Sequence, residues 1–316
     1  MVGAVERVVV ALGGNALLEK GAEETAEAMW RSARFAAEVV ADIAGLGYEV
    51  VVTHGNGPQV GRILLQNELA KDAVPPMPLD VCGAESQGQI GYFLQVTVGD
   101  VFYERGMERP VVTILTLTRV PRDDPAFADP TKPVGPFYDD AEARRLAGER
   151  GWRMAPDPAG RGWRRVVPSP RPYSIVEAPV IRQVVATGAI VICAGGGGVP
   201  VVEEGPRLVG VEGVVDKDLA AAILARDVEA DTLLILTDVD GVYEDFGTPA
   251  QRLLTRLTPE EARRRLEAGE FGVGSMGPKV EAAAQFVEGG GKRAVIAALR
   301  DGARAVGGRA GTLIAH

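Results

Sequence analysis

The stretch ERVVVALGGN, residues 6–15, decides the reading of the fold: a valine-rich apolar run breaks at once into Gly13, Gly14 and Asn15. A short run of this kind, bounded by a glycine turn, predicts a strand buried on both faces that opens into a tight loop. Working outward, residues 22–46 carry Ala, Met, Phe, Val and Ile at helical spacing and end in Gly45 and Gly47, so a helix follows. Residues 48–53 form a second apolar run that opens into His54-Gly55-Asn56-Gly57, with Pro58 at the start of the next helix. Proline is favoured there because its missing N–H has no helical partner in any case.

The alternation continues. Residues 79–105 read as a long helix, 111–117 as a strand, 175–187 as a helix and 189–193 as a strand ending in Gly195 to Gly198. A hairpin is expected over 199–209, a helix opening at Asp216-Lys217-Asp218, and a strand over 232–237. Helices are then expected over 259–268 and from Gly274-Ser275-Met276-Gly277-Pro278-Lys279, and strands over 294–297 and 312–315. Strands alternating with helices predict an α/β fold with a mostly parallel sheet covered on both faces. Residues 121–172 break the pattern with Pro, Gly, Asp, Arg and Trp, which predicts an inserted lobe with a helix over 139–149 and a hairpin over 152–167. The expectation is one domain spanning 1–316, with that lobe protruding as a lid.

Composition narrows the chemistry. A net charge of -9 and the lack of any accumulated basic face argue against nucleic acid as a partner. No apolar run is long enough to span a membrane, and no signal peptide is legible, so the expected location is the cytoplasm. The only histidines are His54 and His316, which excludes a histidine-rich zinc site and leaves catalysis to Lys, Asp, Asn and backbone N–H groups. Cys82 and Cys193 read as structural thiols, with no dedicated protein metal site expected.

Lysine placement is the sharper signal. Six lysines stand against 28 arginines, and Lys132, Lys217 and Lys279 lie in segments rich in Gly, Pro, Asp and Ser. A compact ammonium follows a moving phosphoryl group better than a rigid guanidinium does. The strand ends at Gly13-Gly14, at Gly55-Asn56-Gly57 and from Gly195 share one edge of a parallel sheet, where ligands bind. Glycine lets backbone N–H groups approach an anion. None of these loops has the spacing GxxxxGK[ST], and none gives GxGxxG followed by an acidic residue, so a dinucleotide enzyme is disfavoured. The run from Gly195 to Gly198 reads as close backbone packing or a substrate loop. Asp216 reads as a helix cap, and Asp218 as the carboxylate that holds a lysine in place.

The segments VVALGGN (9–15), HGNGPQVG (54–61), TKPVGPF (131–137), GRGWRRVVPSP (160–170), DKD (216–218), LTDVD (236–240) and GSMGPK (274–279) together resemble the carbamate kinases within the amino acid kinase family. The resemblance runs through nearly the whole chain in order. It implies a three-layer αβα sandwich on an eight-stranded, mostly parallel sheet, and a homodimer. The implied activity is reversible transfer between ATP and carbamate, giving ADP and carbamoyl phosphate, with Mg²⁺ accompanying the nucleotide. The implied setting is ATP formation in arginine fermentation. By the same resemblance Gly13, Gly14 and Asn15 would hold the transferring phosphoryl group, and Gly55, Asn56 and Gly57 the carbamoyl group. Lys217 and Lys279 would neutralise transition-state charge, with Asp218 orienting them, Asp216 nearby and Lys132 reaching over from the lobe. Thr237, Asp238, Val239 and Tyr243, with Gly274, Ser275 and Met276, would form the nucleotide side. The alternatives are a related kinase of a larger carboxylate, or a regulator that binds nucleotide or acyl phosphate without turnover.

Overall fold

The computed structural model describes residues 5–14, 25–157, 159–271 and 276–316. Its frame is an eight-stranded sheet with the strand order Arg256–Leu257, Thr312–Ile314, Arg293–Ala298, Thr232–Thr237, Arg7–Leu12, Glu49–His54, Ile190–Cys193 and Val111–Ile114. The central pairings are parallel, in register from Val8 opposite Thr232 and Val50. Only the pairing of Arg293–Ala298 with Thr312–Ile314 is antiparallel.

Both faces are covered, as the unbroken apolar runs require. Val9, Ala11, Leu233 and Ile235 point to one face, where Ala178–Val185, Lys217–Asp227, Pro259–Glu267 and Gly277–Glu288 pack. Val8, Val10, Leu12, Leu234 and Leu236 point to the other, against Ala26–Gly45, Leu79–Glu104 and Gly302–Val306. Alternate residues of one strand thus feed two separate cores, and every side chain from Val8 to Leu12 is fully buried. Burying each such valine or leucine contributes roughly 1.5–3 kcal/mol.

Local signals set the helix ends. The Thr25 hydroxyl accepts from Ala28 N–H, the Asp139 carboxylate accepts from Glu142 N–H, and Thr258 with Glu261 closes a capping box. Two expectations need correction. The run 111–117 is not one strand: Val111–Ile114 stays in the main sheet while Leu117–Arg119 joins a second sheet. The Gln87 amide takes up the backbone between them, donating to Thr116 O at 3.0 Å and accepting from Thr116 N–H at 3.0 Å. Likewise Ser174–Ile175 pairs antiparallel with Thr118 and Arg119, so the helix expected from 175 begins at Ala178, with Pro179 in its first turn.

The second sheet orders Arg207–Gly210, Val199–Glu204, Leu117–Arg119 and Ser174–Ile175. Within residues 121–172, Lys132–Tyr138, Trp163–Val167 and Met154–Pro156 make a separate antiparallel sheet, with the helix Asp140–Arg150 beside it. This outer sheet approaches the body through the helix Gly57–Ala70: Val60 and Ile63 pack with Val134 and Val167.

Candidate active site

Because the inner strands run parallel, their C-terminal ends bring Gly13, Gly55, Ala194 and Thr237 to one edge. Gly13 N–H donates to Leu236 O at 2.9 Å and Gly55 N–H donates to Leu12 O at 3.1 Å, so the ladder continues into the loops. A Cβ on Gly55 would stand 3.2 Å from the Gly14 backbone and 3.5 Å from Lys217 Cδ. Glycine at 55 is therefore what lets the first two loops touch while the Lys217 stem packs against them.

The glycine run after Ile190–Cys193 serves close packing, one of the two readings its sequence allowed. Gly196 has φ +66°, and a Cβ there would lie 2.1 Å from Asn56 Nδ2. On Gly195 a Cβ would lie 2.4 Å from the His54 ring. Asn56 is in turn fixed by donating to Ser86 Oγ at 2.8 Å. His54 is buried and its Nδ1 lies 3.0 Å from Gly55 O, so Nδ1 carries the hydrogen. Burial brings its pKa down to about 4, opposed by that hydrogen bond and helped by the charge of Lys217. The ring is therefore uncharged at neutral pH and fills the space beneath Gly195.

The charged centre starts from the helix Lys217–Asp227. Asp216 caps it, accepting from Asp218 N–H at 2.9 Å. The Lys217 ammonium meets Asp218 Oδ1 at 2.5 Å, and Lys279, from the first turn of Gly277–Glu288, meets Asp218 Oδ2 at 3.2 Å. Burial alone would push the Asp218 carboxyl up, but the two ammonium groups outweigh it and hold the pKa below the usual carboxylate range. Lys132, on the outer sheet, reaches Asp216 Oδ2 at 3.0 Å. The expected lysines thus meet around two adjacent aspartates.

A cleft of about 940 Å³ between the sheet edge and the outer sheet is lined by Gly14, Gly55, Asn56, Gly57, Lys132, Asp216, Lys217 and Asp218, with Lys279 reaching Asp218 from behind that lining. Arg161 and Arg164 line it too. Both were missed as individual site residues, although the stretch GRGWRR at 160–165 holds them. Their guanidinium groups sit 4.6 Å and 5.2 Å from the centroid of the Phe137 ring. Two arginines three apart, facing an aromatic on a neighbouring strand, was the available signal.

On the other side of the sheet edge, a Cβ on Gly13 would come 3.7 Å from Thr237 Cα, so Thr237 adjoins the first glycine loop. Thr237 Oγ1 donates to Asp238 Oδ1 at 3.1 Å; Asp238 is exposed and Val239 half-buried. Met276 caps the helix that carries Lys279, and its carbonyl accepts from Lys279 N–H at 3.0 Å. Tyr243 stands apart from the lysine centre, in a two-stranded ribbon opposite Leu253. Val242 N–H ties that ribbon to Thr312 Oγ1 at 2.8 Å. Asn15, Gly274 and Ser275 lie outside the described residues. Among the described residues, no three His, Cys, Asp or Glu side chains cluster at metal-binding range, and no helix is long and apolar enough to cross a membrane.

Residues 6–298 match the model of the amino acid kinase family. A carbamate kinase of Pyrococcus horikoshii is 52% identical over 311 residues, covering 98% of this chain and 99% of that protein. One from Clostridium perfringens is 48% identical, covering 98% of this chain and 99% of its own. The solved carbamate kinase of Giardia lamblia bound to AMP-PNP superposes with a TM-score of 0.93 at 43% identity, covering 99% of both chains.

Proposed function

We infer the chemistry of the cleft from the premise that this chain belongs to the amino acid kinase family and functions as a carbamate kinase, a phosphotransferase. The reaction is ATP + carbamate ⇌ ADP + carbamoyl phosphate. In the direction of ATP formation, the bond from phosphorus to the carbamate oxygen breaks and a bond to the terminal oxygen of ADP forms. Carbamate leaves as the anion, so no base is required. The single observation that carries this reading is the pair of ammonium groups held on the buried Asp218 carboxylate where the glycine loops meet.

Phosphoryl transfer asks the protein for position and positive charge rather than covalent chemistry. Lys217 and Lys279 supply charge from opposite sides of Asp218, and Asp216 stiffens the helix start that carries Lys217. We place the phosphoryl group at the loop of Gly13, Gly14 and Asn15 and the carbamoyl group at Gly55, Asn56 and Gly57; because the N–H groups of Gly13 and Gly55 are held by Leu236 O and Leu12 O, the part of Gly55 is to let the two loops approach each other. Thr237, Asp238, Val239, Tyr243, Gly274, Ser275 and Met276 form the nucleotide side. We assign residues 121–172 as a lid on a single domain, a reading supported by the ion pair of Lys132 with Asp216 across the cleft. Closure would exclude water from the acyl phosphate.

The donor set fits Mg²⁺ that arrives on the nucleotide. All four carboxylate oxygens of Asp216 and Asp218 are engaged by Lys132, Lys217, Lys279 and a backbone N–H. Mg²⁺ would be carried into the cleft on the nucleotide's phosphates and would there neutralise phosphate charge. A homodimer is supported by the sheet edge Val111–Ile114, beside which Leu115 and Tyr92 are 51% and 60% exposed. A cytoplasmic location and a place in arginine fermentation, with ATP as the product, complete the proposal.

Replacing Lys217 or Lys279 with Ala tests the assignment. Each variant should lose roughly a hundred- to a thousandfold in ATP formation, the usual cost of removing one preorganised donor. Near-normal turnover by folded variants would remove these lysines from the mechanism.

A further inference from the structure

Arg164 combines charge, partial burial and a lack of counter-ion in a way the roles above leave unexplained. Its Nε and Nη2 donate to Gly135 O at 3.2 Å and 3.0 Å. Gly135 holds φ +72°, a left-handed conformation that fixes where that carbonyl points. The Phe137 ring lies under the guanidinium. Arg161, on the same ring, is neutralised by Asp157, which accepts from its Nε at 2.9 Å and its Nη2 at 3.0 Å. Arg164 makes no ion pair among the described residues; burial, then the neighbouring Arg161, lower its pKa, and the charge of Asp157 opposes them only in part.

A half-buried guanidinium with no ion pair of its own is unfavourable unless an anion settles it. The open side of Arg164 faces the cleft, whose other walls carry Lys132, Lys217 and Gly55. Its planar fork, oriented by Gly135 and Phe137, suits two oxygens of one phosphate, as an ammonium does not. We propose that Arg164 is the specificity residue with which the outer sheet reads the phosphate of carbamoyl phosphate in the ground state. This rests on the carbamate kinase reading of the cleft. Lys217 and Lys279 act on the phosphoryl group in flight, whereas Arg164 holds the anion on arrival and acts on its affinity.

The test is steady-state ATP formation by wild type, Arg164→Lys and Arg164→Gln, with carbamoyl phosphate and ADP varied separately and thermal unfolding measured beside them. Gln keeps a donor for Gly135 O without the charge; Lys keeps the charge without the fork. Loss of a charge-assisted contact that binds ground and transition states alike should raise KM for carbamoyl phosphate about ten- to a hundredfold in Arg164→Gln, with KM for ADP and kcat little changed. Arg164→Lys should fall between it and wild type. Full rescue by Gln, or equal changes in both KM values, would make Arg164 a structural prop and overturn the inference. Wild type without turnover of carbamoyl phosphate would instead sink the reading of the reaction, and this inference with it.

Discussion

Replacing Asp218 with Asn removes one charge and changes almost no volume. The side chain of Asp218 is 6% exposed, and its two lysine partners are 13% and 12% exposed, so solvent screening is weak. An amide can still accept from one ammonium, but it must then turn its NH₂ toward the other. Two charge-assisted hydrogen bonds at about 1.5–3 kcal/mol each bound the loss near 6 kcal/mol. Breaking a buried pair from one side costs about 3–5 kcal/mol, and the lower part of that range is expected because either lysine can shed its proton. With an unfolding entropy of roughly 2.1 cal/mol/K per residue, a chain of 316 residues shifts its unfolding temperature by about 1.5 °C per kcal/mol, so a drop on the order of 5 °C should appear at pH 7. The sign with pH follows from the depressed carboxyl. Its contribution is complete above the unfolded pKa of about 3.9 and is lost as pH falls through the lower folded value. The gap between wild type and variant should therefore persist at pH 7 and 5 and narrow only below about 4. Turnover should fall roughly a hundred- to a thousandfold, because both donors lose their common anchor. Thermal unfolding at pH 7, 5 and 3, with ATP formation measured at pH 7, checks this. A gap that closes by pH 6, or turnover within about threefold of wild type, would refute the reasoning.

Gly196→Ala should lower stability by more than about 2 kcal/mol, because φ +66° disfavours a Cβ and the added atom would displace the Asn56 amide from Ser86; thermal unfolding reads it. Buried, neutral His54 titrates at about 4 against about 6.5 when unfolded, so the unfolded chain takes up a proton first and wild type should lose about 3 kcal/mol between pH 6.5 and 4 through this group. A His54→Gln variant should show a correspondingly shallower fall in unfolding free energy over that window. Lys132→Ala should change stability by under about 1 kcal/mol, since the pair with Asp216 is partly exposed, yet lower turnover at least tenfold. If residues 121–172 form the lid, hydrogen exchange there should slow when ADP and carbamoyl phosphate are added together; unchanged exchange would oppose closure.

Much of the layout was legible because the strands are buried on both faces. Val8 to Leu12 and Leu233 to Leu236 read as strands without any appeal to periodicity, and the first runs directly into Gly13 and Gly14. The helix start at Asp216 was legible for a local reason, the cap on Asp218 N–H. What failed was long-range. Nothing within residues 111–117 announces that the distant Gln87 amide will take the place of a neighbouring strand at Thr116. The sharing of Asp218 between Lys217 and Lys279 spans 61 positions, so sequence offered the candidates without showing how one carboxylate divides its oxygens. Arg164 escaped because its lack of a counter-ion exists only after Asp157 has been taken by Arg161.

The most direct single measurement is the initial rate of ATP formation from ADP, Mg²⁺ and carbamoyl phosphate, with acetyl phosphate run beside it. Fast turnover that favours carbamoyl phosphate is the predicted result. No ATP from carbamoyl phosphate, with ADP still binding, would contradict the central claim and leave a kinase of a larger acid or a regulator that binds without turnover.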